Sequence, residues 1–318
     1  MPELRDHPAP PSDTQPSSPE ALLGVHRNAL TPEVRQYADN LRDQVRKIWK
    51  DHGVQNIDEF EVAARTKKIS RAEVKDVQGL MEKLAAVVAS GELPPEEMQK
   101  NKERELLRAE GRRQARTLWA KGWGDAIRVP VAGFANKTLP RYNTFEEYVQ
   151  SIPEPPPQPE QWKGRFDRLV LVDERISVLE ACEELGLAFA GAQRRFKTVS
   201  AAKPESGVRW MWCNDGKENQ SRTPMQLRLS CPKDQTYLTV FEGIALYAQD
   251  PTLITDVYAI NLVGSNEWDY PTGILRIALS KREKKNPMLL QVTDGLFSPE
   301  PSVGAPSRGV SADISSVL

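Results

Sequence analysis

The run Pro153-Glu-Pro-Pro-Pro-Gln-Pro159-Glu160 limits the fold more than any other stretch of this chain. Each proline fixes φ at about −65° and lacks an amide donor, so neither a helix interior nor a central strand can pass through it. Such a run favours an extended polyproline II conformation of about three residues per turn with no internal hydrogen bonds. The expectation is a stiff spacer between two regions of different character. The other reading is a ligand for a proline-recognising module, although no anchoring residue specifies one.

The sequence before the run is patterned for helices. Thr31-Pro32-Glu33 supplies a cap, a first-turn proline and a first-turn acid, and Val34, Tyr37, Leu41, Val45, Ile48 and Trp49 follow at helical spacing before Gly53. A shorter segment from Asn56 to about Lys67 carries Ile57, Phe60 and Val62. Ser70 and Glu73 form a capping box ahead of Val74, Val77, Leu80, Leu84, Val87 and Val88, with Gly91 as the stop. A longer charged helix is predicted over 100–121, and antiparallel helical hairpins are the expected packing. Between Trp123 and Ser151 the prolines in Val129-Pro130-Val131 and Leu139-Pro140 argue against regular structure, except for a short helix at Thr144–Gln150.

After the run the pattern mixes strands and helices. Strands are predicted at Arg168–Val172, Val208–Cys213, Tyr258–Val263, Gly273–Leu279 and Met288–Val292. The last two flank a charged loop suited to a hairpin tip. A buried helix is predicted over Thr236–Gln249, a short one after Thr223-Pro224, and a capped one from Ser177 and Glu180 to Gly186. The predicted class is α+β. A disordered tail (1–16) leads to a helical region (17–150) and a proline-rich linker (151–164). An α+β domain (165–296) with a small, mainly antiparallel sheet and a second disordered tail (297–318) complete it.

Composition removes several function classes. Lys and Arg number 43 against 44 for Asp and Glu, a net charge of −1 over 318 residues, so no global field draws the chain to nucleic acid or anionic lipid. Mean hydropathy is −0.54, and no apolar run approaches the roughly 20 residues of a membrane span. The expectation is therefore a cytoplasmic protein without a membrane partner. Cys182, Cys213 and Cys231 form no CxxC pair and lie far from His7, His26 and His52, so free thiols and no metal site are expected. Nucleophilic catalysis needs a nearby base, and no histidine follows His52. Phosphate-loop and dinucleotide motifs are absent from the sequence. No catalytic residue and no cofactor is expected.

Four features could still carry function. On the 100–121 helix, Arg112, Arg113 and Arg116 belong to a basic set opposed by few acids, which suits either a phosphate-contacting face or a solvated helix laced by ion pairs. Ser177–Phe196 resembles a helix-turn-helix, with Ala181, Cys182, Leu185 and the bend at Gly186. That resemblance would place Gln193, Arg194, Arg195 and Lys197 on or near a recognition helix. It departs from the pattern at Ala192 and Arg195, where bulky apolar residues belong. Trp210 and Trp212 point the same way on a strand, as a stacking platform or as core anchors. Glu242 interrupts an apolar helix and marks a possible buried acidic site, either an acid–base group or a carboxylate held by arginine.

The segments Ser177–Gly186 and Leu238–Tyr247, with Asp250-Pro251 and Asn261–Ser265 behind them, resemble an uncharacterised bacterial domain of unknown function. That resemblance implies no activity. Taken together, the sequence reads as a non-enzymatic binding or interaction module with a protein partner. The alternatives are a DNA-binding protein using 177–197 and 100–121, and an enzyme built on acids around Glu242.

Overall fold

A computed structural model of the chain describes residues 30–130, 138–190, 196–198, 207–255, 258–267, 274–279, 287–292 and 302–309. The fold is mixed α+β, and the chain forms two compact units that meet in sequence at Lys102 and Glu103. The division is not at 151–164: the proline run belongs wholly to the second unit.

The first unit is helical. Helix α1 spans Pro32–Asp51, α2 Ile57–Arg65 and α3 Arg71–Ser90. Their starts follow the sequence: Thr31 Oγ1 accepts from the Val34 amide, Asn56 Oδ1 from Glu59, and Ser70 and Glu73 complete a capping box. Gly91 ends α3 at φ 69°, a left-handed conformation in which other residues are strained. Helices α1 and α3 pack antiparallel. Val45 and Trp49 share a buried cluster with Val77, Leu41 with Leu84, and Val34 with Val87. At the junction, His52 and Glu73 lie 3.1 Å apart and tie the end of α1 to the start of α3.

The second unit holds the sheets. Helix α4 (Pro95–Ala120) continues into it and is followed by α5 (Trp123–Ala126), β1 (Arg128–Pro130), β2 (Thr138–Pro140) and α6 (Phe145–Gln150). The stretch expected to be irregular therefore contains an antiparallel ribbon, with Val129 opposite Leu139. Prolines are tolerated there because two-stranded ribbons leave amide positions unpaired. Next come β3 (Arg168–Asp173), α7 (Val178–Glu184), β4 (Ala188–Ala190), β5 (Phe196–Thr198), β6 (Val208–Cys213), α8 (Pro224–Leu229) and β7 (Gln235–Tyr237). The chain continues through α9 (Val240–Gln249), β8 (Ala259–Leu262), β9 (Ser265–Glu267), β10 (Ile274–Leu279), β11 (Pro287–Val292), β12 (Val303–Gly304) and β13 (Ser307–Gly309).

One sheet runs β3-β6-β13-β7, antiparallel throughout, and another runs β12-β8-β10-β11-β4 with parallel pairs at both ends. Residues 302–309, assigned from sequence to a disordered tail, instead supply β12 and β13. Val303, Ala305 and Ser307 are buried. The rest of both expected tails lies outside the described residues. Strand β6 alternates its faces. Met211 and Cys213 enter the main core with Ile244 and Leu246 of α9, while Trp210 and Trp212 pack on the opposite face with Leu107 of α4.

Strand β3 is an edge, and helix side chains cover it. Gln114, 1% exposed, donates from Nε2 to Leu169 O at 2.6 Å and accepts from Leu171 N at 2.8 Å. Trp123 Nε1 donates to Asp173 O at 3.3 Å. An open strand edge is a template for unwanted pairing. Here the alternate backbone groups of β3 are satisfied as if by another strand.

Candidate functional site

The sequence-designated residues do not converge. Gln193, Arg194 and Arg195 lie outside the described residues. Lys197 is in β5, which pairs antiparallel with β9, and Ala188–Ala190 is also a strand. The described parts of the expected recognition helix are thus extended. Of that motif, the capped helix α7 remains, with Ser177 as its cap and Gly186 at φ 64°.

On α4 the three arginines are each engaged. Arg113 bonds Glu110 twice at 2.7 Å, and Arg112 bonds Glu146 of α6. Arg112 and Arg116 both lie 5.3 Å from the Phe145 ring centroid, within cation–π range. Carboxylates and a ring thus engage Arg112, Arg113 and Arg116.

Glu242 is fully buried at the third position of α9, where it closes a capping box with Thr239. Its Oε2 accepts from Thr239 N at 2.9 Å, and its Oε1 accepts from Arg308 Nε at 2.7 Å and Arg209 Nη2 at 3.1 Å. Arg209 also donates to Glu174 at 2.8 Å. Burial alone would raise the Glu242 pKa, but the Arg308 and Arg209 cations reverse that, and the carboxyl titrates below its ordinary value. A carboxylate with both oxygens occupied and no path to solvent cannot exchange protons with a substrate. Of the two readings of Glu242, the geometry matches the carboxylate held by arginine. The missing signals were the Thr239-x-x-Glu242 spacing of a capping box and Arg308, which lay in a segment assigned to the tail.

A second buried cluster was not foreseen. Asp173, 1% exposed, accepts from Arg175 Nη2 at 2.6 Å, Arg175 Nε at 2.7 Å and Tyr148 OH at 2.9 Å. Arg175 Nη1 donates onward to Tyr142 OH at 2.5 Å and Ser151 Oγ at 2.8 Å. Burial first, then the Asp173 charge, push the Tyr148 hydroxyl well above its ordinary pKa. The cluster holds the segment around α6 against the end of β3. Burial also drives up the thiol pKa of Cys182, to about 12, and of Cys213, so neither is poised as a nucleophile. Among the described residues, no three His, Cys, Asp or Glu side chains gather to hold a metal ion. No helix of the described residues is long and apolar enough to cross a membrane.

In the second unit a cleft of about 260 Å³ opens between α4, the end of α6, the proline run and Trp210. Arg108, Gly111, Arg112 and Ala115 line it from α4 at spacings of three and four, as one helix face requires. Val149, Ile152, Pro153, Pro155 and the Trp210 ring complete an apolar floor, and Glu154 stands at the rim. Gly111 permits the approach. A Cβ there would meet Pro155 Cγ at 2.9 Å and Trp210 Cζ2 at 3.2 Å. The proline run thus lies as a strap against α4 and the Trp210–Trp212 face of β6. Trp210 Nε1 donates to Pro153 O at 2.7 Å, Trp212 Nε1 donates to Pro156 O at 3.3 Å, and Arg108 pairs with Glu154 at 2.8 Å. Gly111 was the overlooked signal, since a glycine inside a strong helical pattern marks a close backbone approach.

No protein-family model matches the chain, and no significant match was found to a curated protein or to a solved structure.

Proposed function

We propose that the protein is a non-enzymatic interaction module that binds an extended segment of a partner protein at the cleft beside Trp210. The cleft itself carries this reading: an apolar floor large enough for one bulky side chain, bounded by Arg108 and Arg112. Aromatic and arginine side chains around a small apolar pocket are the residue types on which peptide and protein interfaces concentrate their binding energy. The two guanidiniums hold Glu154 and Glu146, so a partner carboxylate beside an apolar anchor would bind them by exchange with these acids. Nothing in the cleft offers a free general base or an activated nucleophile, so binding accounts for it better than turnover. Of the cations behind the DNA-binding alternative, Arg112, Arg113 and Arg116 are already engaged by carboxylates and Phe145, and Arg194 and Arg195 lie outside the described residues.

Selection from a library of displayed random peptides tests the reading. The expected outcome is enrichment of peptides that place Asp or Glu next to a bulky apolar residue. Reversing the rim with Arg108→Glu and Arg112→Glu should weaken the selected peptides by about tenfold or more. Failure of any peptide to enrich, or binding that the double reversal leaves unchanged, would contradict it.

A further inference from the structure

The strap over β6 has the geometry of a bound ligand. Pro153 and Pro156 are three residues apart, and a polyproline II helix turns once in about three residues, so its successive unbonded carbonyls i and i+3 face one way. Trp210 and Trp212 are two apart on a strand, so their indoles share a face. The two indole N–H groups meet the two carbonyls, at 2.7 and 3.3 Å. At the far end Pro159 has φ −58° and ψ 138°, within the polyproline II region. Docking of extended proline segments on aromatic grooves is a general mode of peptide recognition, and here the segment comes from the same chain.

The strap is pinned firmly only at its ends. Ser151 Oγ donates to Tyr148 O at 2.6 Å and accepts from Arg175 at 2.8 Å. Gln158 Nε2 donates to Phe166 O at 3.1 Å and Asp167 Oδ1 at 2.9 Å. Between these anchors, the contacts described above are the two indole bonds, the exposed Arg108–Glu154 pair and the packing of Pro155 against Gly111. Pro153, Glu154, Pro156 and Pro157 are exposed. Ile152 packs against the main core and its amide donates to Val149 O at 3.0 Å, so the exchangeable part of the strap begins at Pro153.

We infer that Trp210 and Trp212 form a recognition platform for proline-rich acidic segments of a partner protein, and that residues 153–157 occupy it as an exchangeable resident. The inference goes beyond the interaction reading above, because its partner takes the place of Pro153 and Pro155 in the cleft lining: it is an extended segment with prolines three apart and a carboxylate directly after the first. Tethering gives the resident an effective concentration on the order of millimolar, so a partner must outcompete it or bind several sites at once.

The test uses the full chain and a synthetic peptide of residues 151–160. The indole N–H resonances of Trp210 and Trp212 are assigned with Trp210→Phe and Trp212→Phe. In a variant carrying Pro153→Gly, Pro155→Gly, Pro156→Gly and Pro157→Gly, the peptide should shift both resonances saturably. It should bind the wild type at least about tenfold more weakly, because the resident competes. If that variant does not fold, Glu154→Ala, which removes an exposed partner of Arg108, should strengthen peptide binding in the same assay. A folded variant whose indole resonances ignore the peptide overturns the inference, as does equal affinity for variant and wild type. A concentration-dependent dimer in the wild type that the glycine variant lacks would make the occupant a second copy of the chain and overturn the partner assignment. If the strap peptide fails while the selected acidic peptides still bind, the platform reading alone falls. If both fail, the cleft falls with it.

Discussion

Two buried side chains show how single residues hold the second unit together. Gln114 serves the edge of β3 as both donor and acceptor, so Gln114→Leu would leave Leu169 O and Leu171 N buried without partners. A cost of roughly 2–5 kcal/mol in urea unfolding is expected, from about 1–3 kcal/mol for each buried unsatisfied group. A loss under about 1 kcal/mol would mean water reaches that edge. Glu242→Gln should cost about 3–5 kcal/mol, because it leaves two arginines without their shared charge. Glu242 also links stability to acid. Its pKa is lower in the folded chain than in the unfolded one. The stabilisation is therefore complete above the ordinary carboxyl range and is lost as pH falls through the folded value. Unfolding measured from neutral to acid pH should lose stability more steeply in the wild type than in Glu242→Gln; parallel curves would contradict this. The sequence marked Glu242 as unusual yet could not assign it a role, because its partners Arg209 and Arg308 are 33 and 66 residues away.

Elements announced by local chemistry were readable, and those made by distant pairing were not. The Ser70–Glu73 and Ser177–Glu180 boxes fixed the starts of α3 and α7, because a capping box lies within four consecutive residues. Ser70→Ala should destabilise the chain by about 0.5–2 kcal/mol, measured as a shift in the urea midpoint. Glu73, held at a pKa of about 2 chiefly by Ser70 and then by His52, should titrate closer to its ordinary range in that variant. A carboxyl NMR titration reads this directly, and an unchanged Glu73 pKa would contradict the box. By contrast β7, β12 and β13 are two or three residues long, too short for any periodicity. Val303-Gly-Ala-Pro-Ser-Arg-Gly309 reads as a tail until Arg308 finds Thr236 and Cys213 as its strand partners. The second helix expected from Ala190 onward gives way to strand pairing, with β11 at Ala190 and with β9 at Phe196 and Lys197.

The same contrast holds for the molecule. Its helical first unit and its α+β class follow from patterning, whereas the division at Lys102 does not, because it falls inside the continuous helix α4. The proline run reads from sequence as a spacer, since nothing local tells a strap from a linker. What decides it is Trp210 and Trp212, more than fifty residues later. Strand β13 lies between β6 and β7, so deleting residues 302–318 should open the four-stranded sheet. Circular dichroism and proteolysis should then report loss of the second unit, and a truncated chain with native unfolding behaviour would contradict that topology. For the interaction reading, the most direct measurement is hydrogen exchange of the full chain with and without a selected acidic peptide. Slowed exchange is expected at 108–116 and 208–212, the segments that line the cleft from α4 and β6. Protection instead along the charged groove of residues 44–51 and 75–83, or none anywhere, would contradict it.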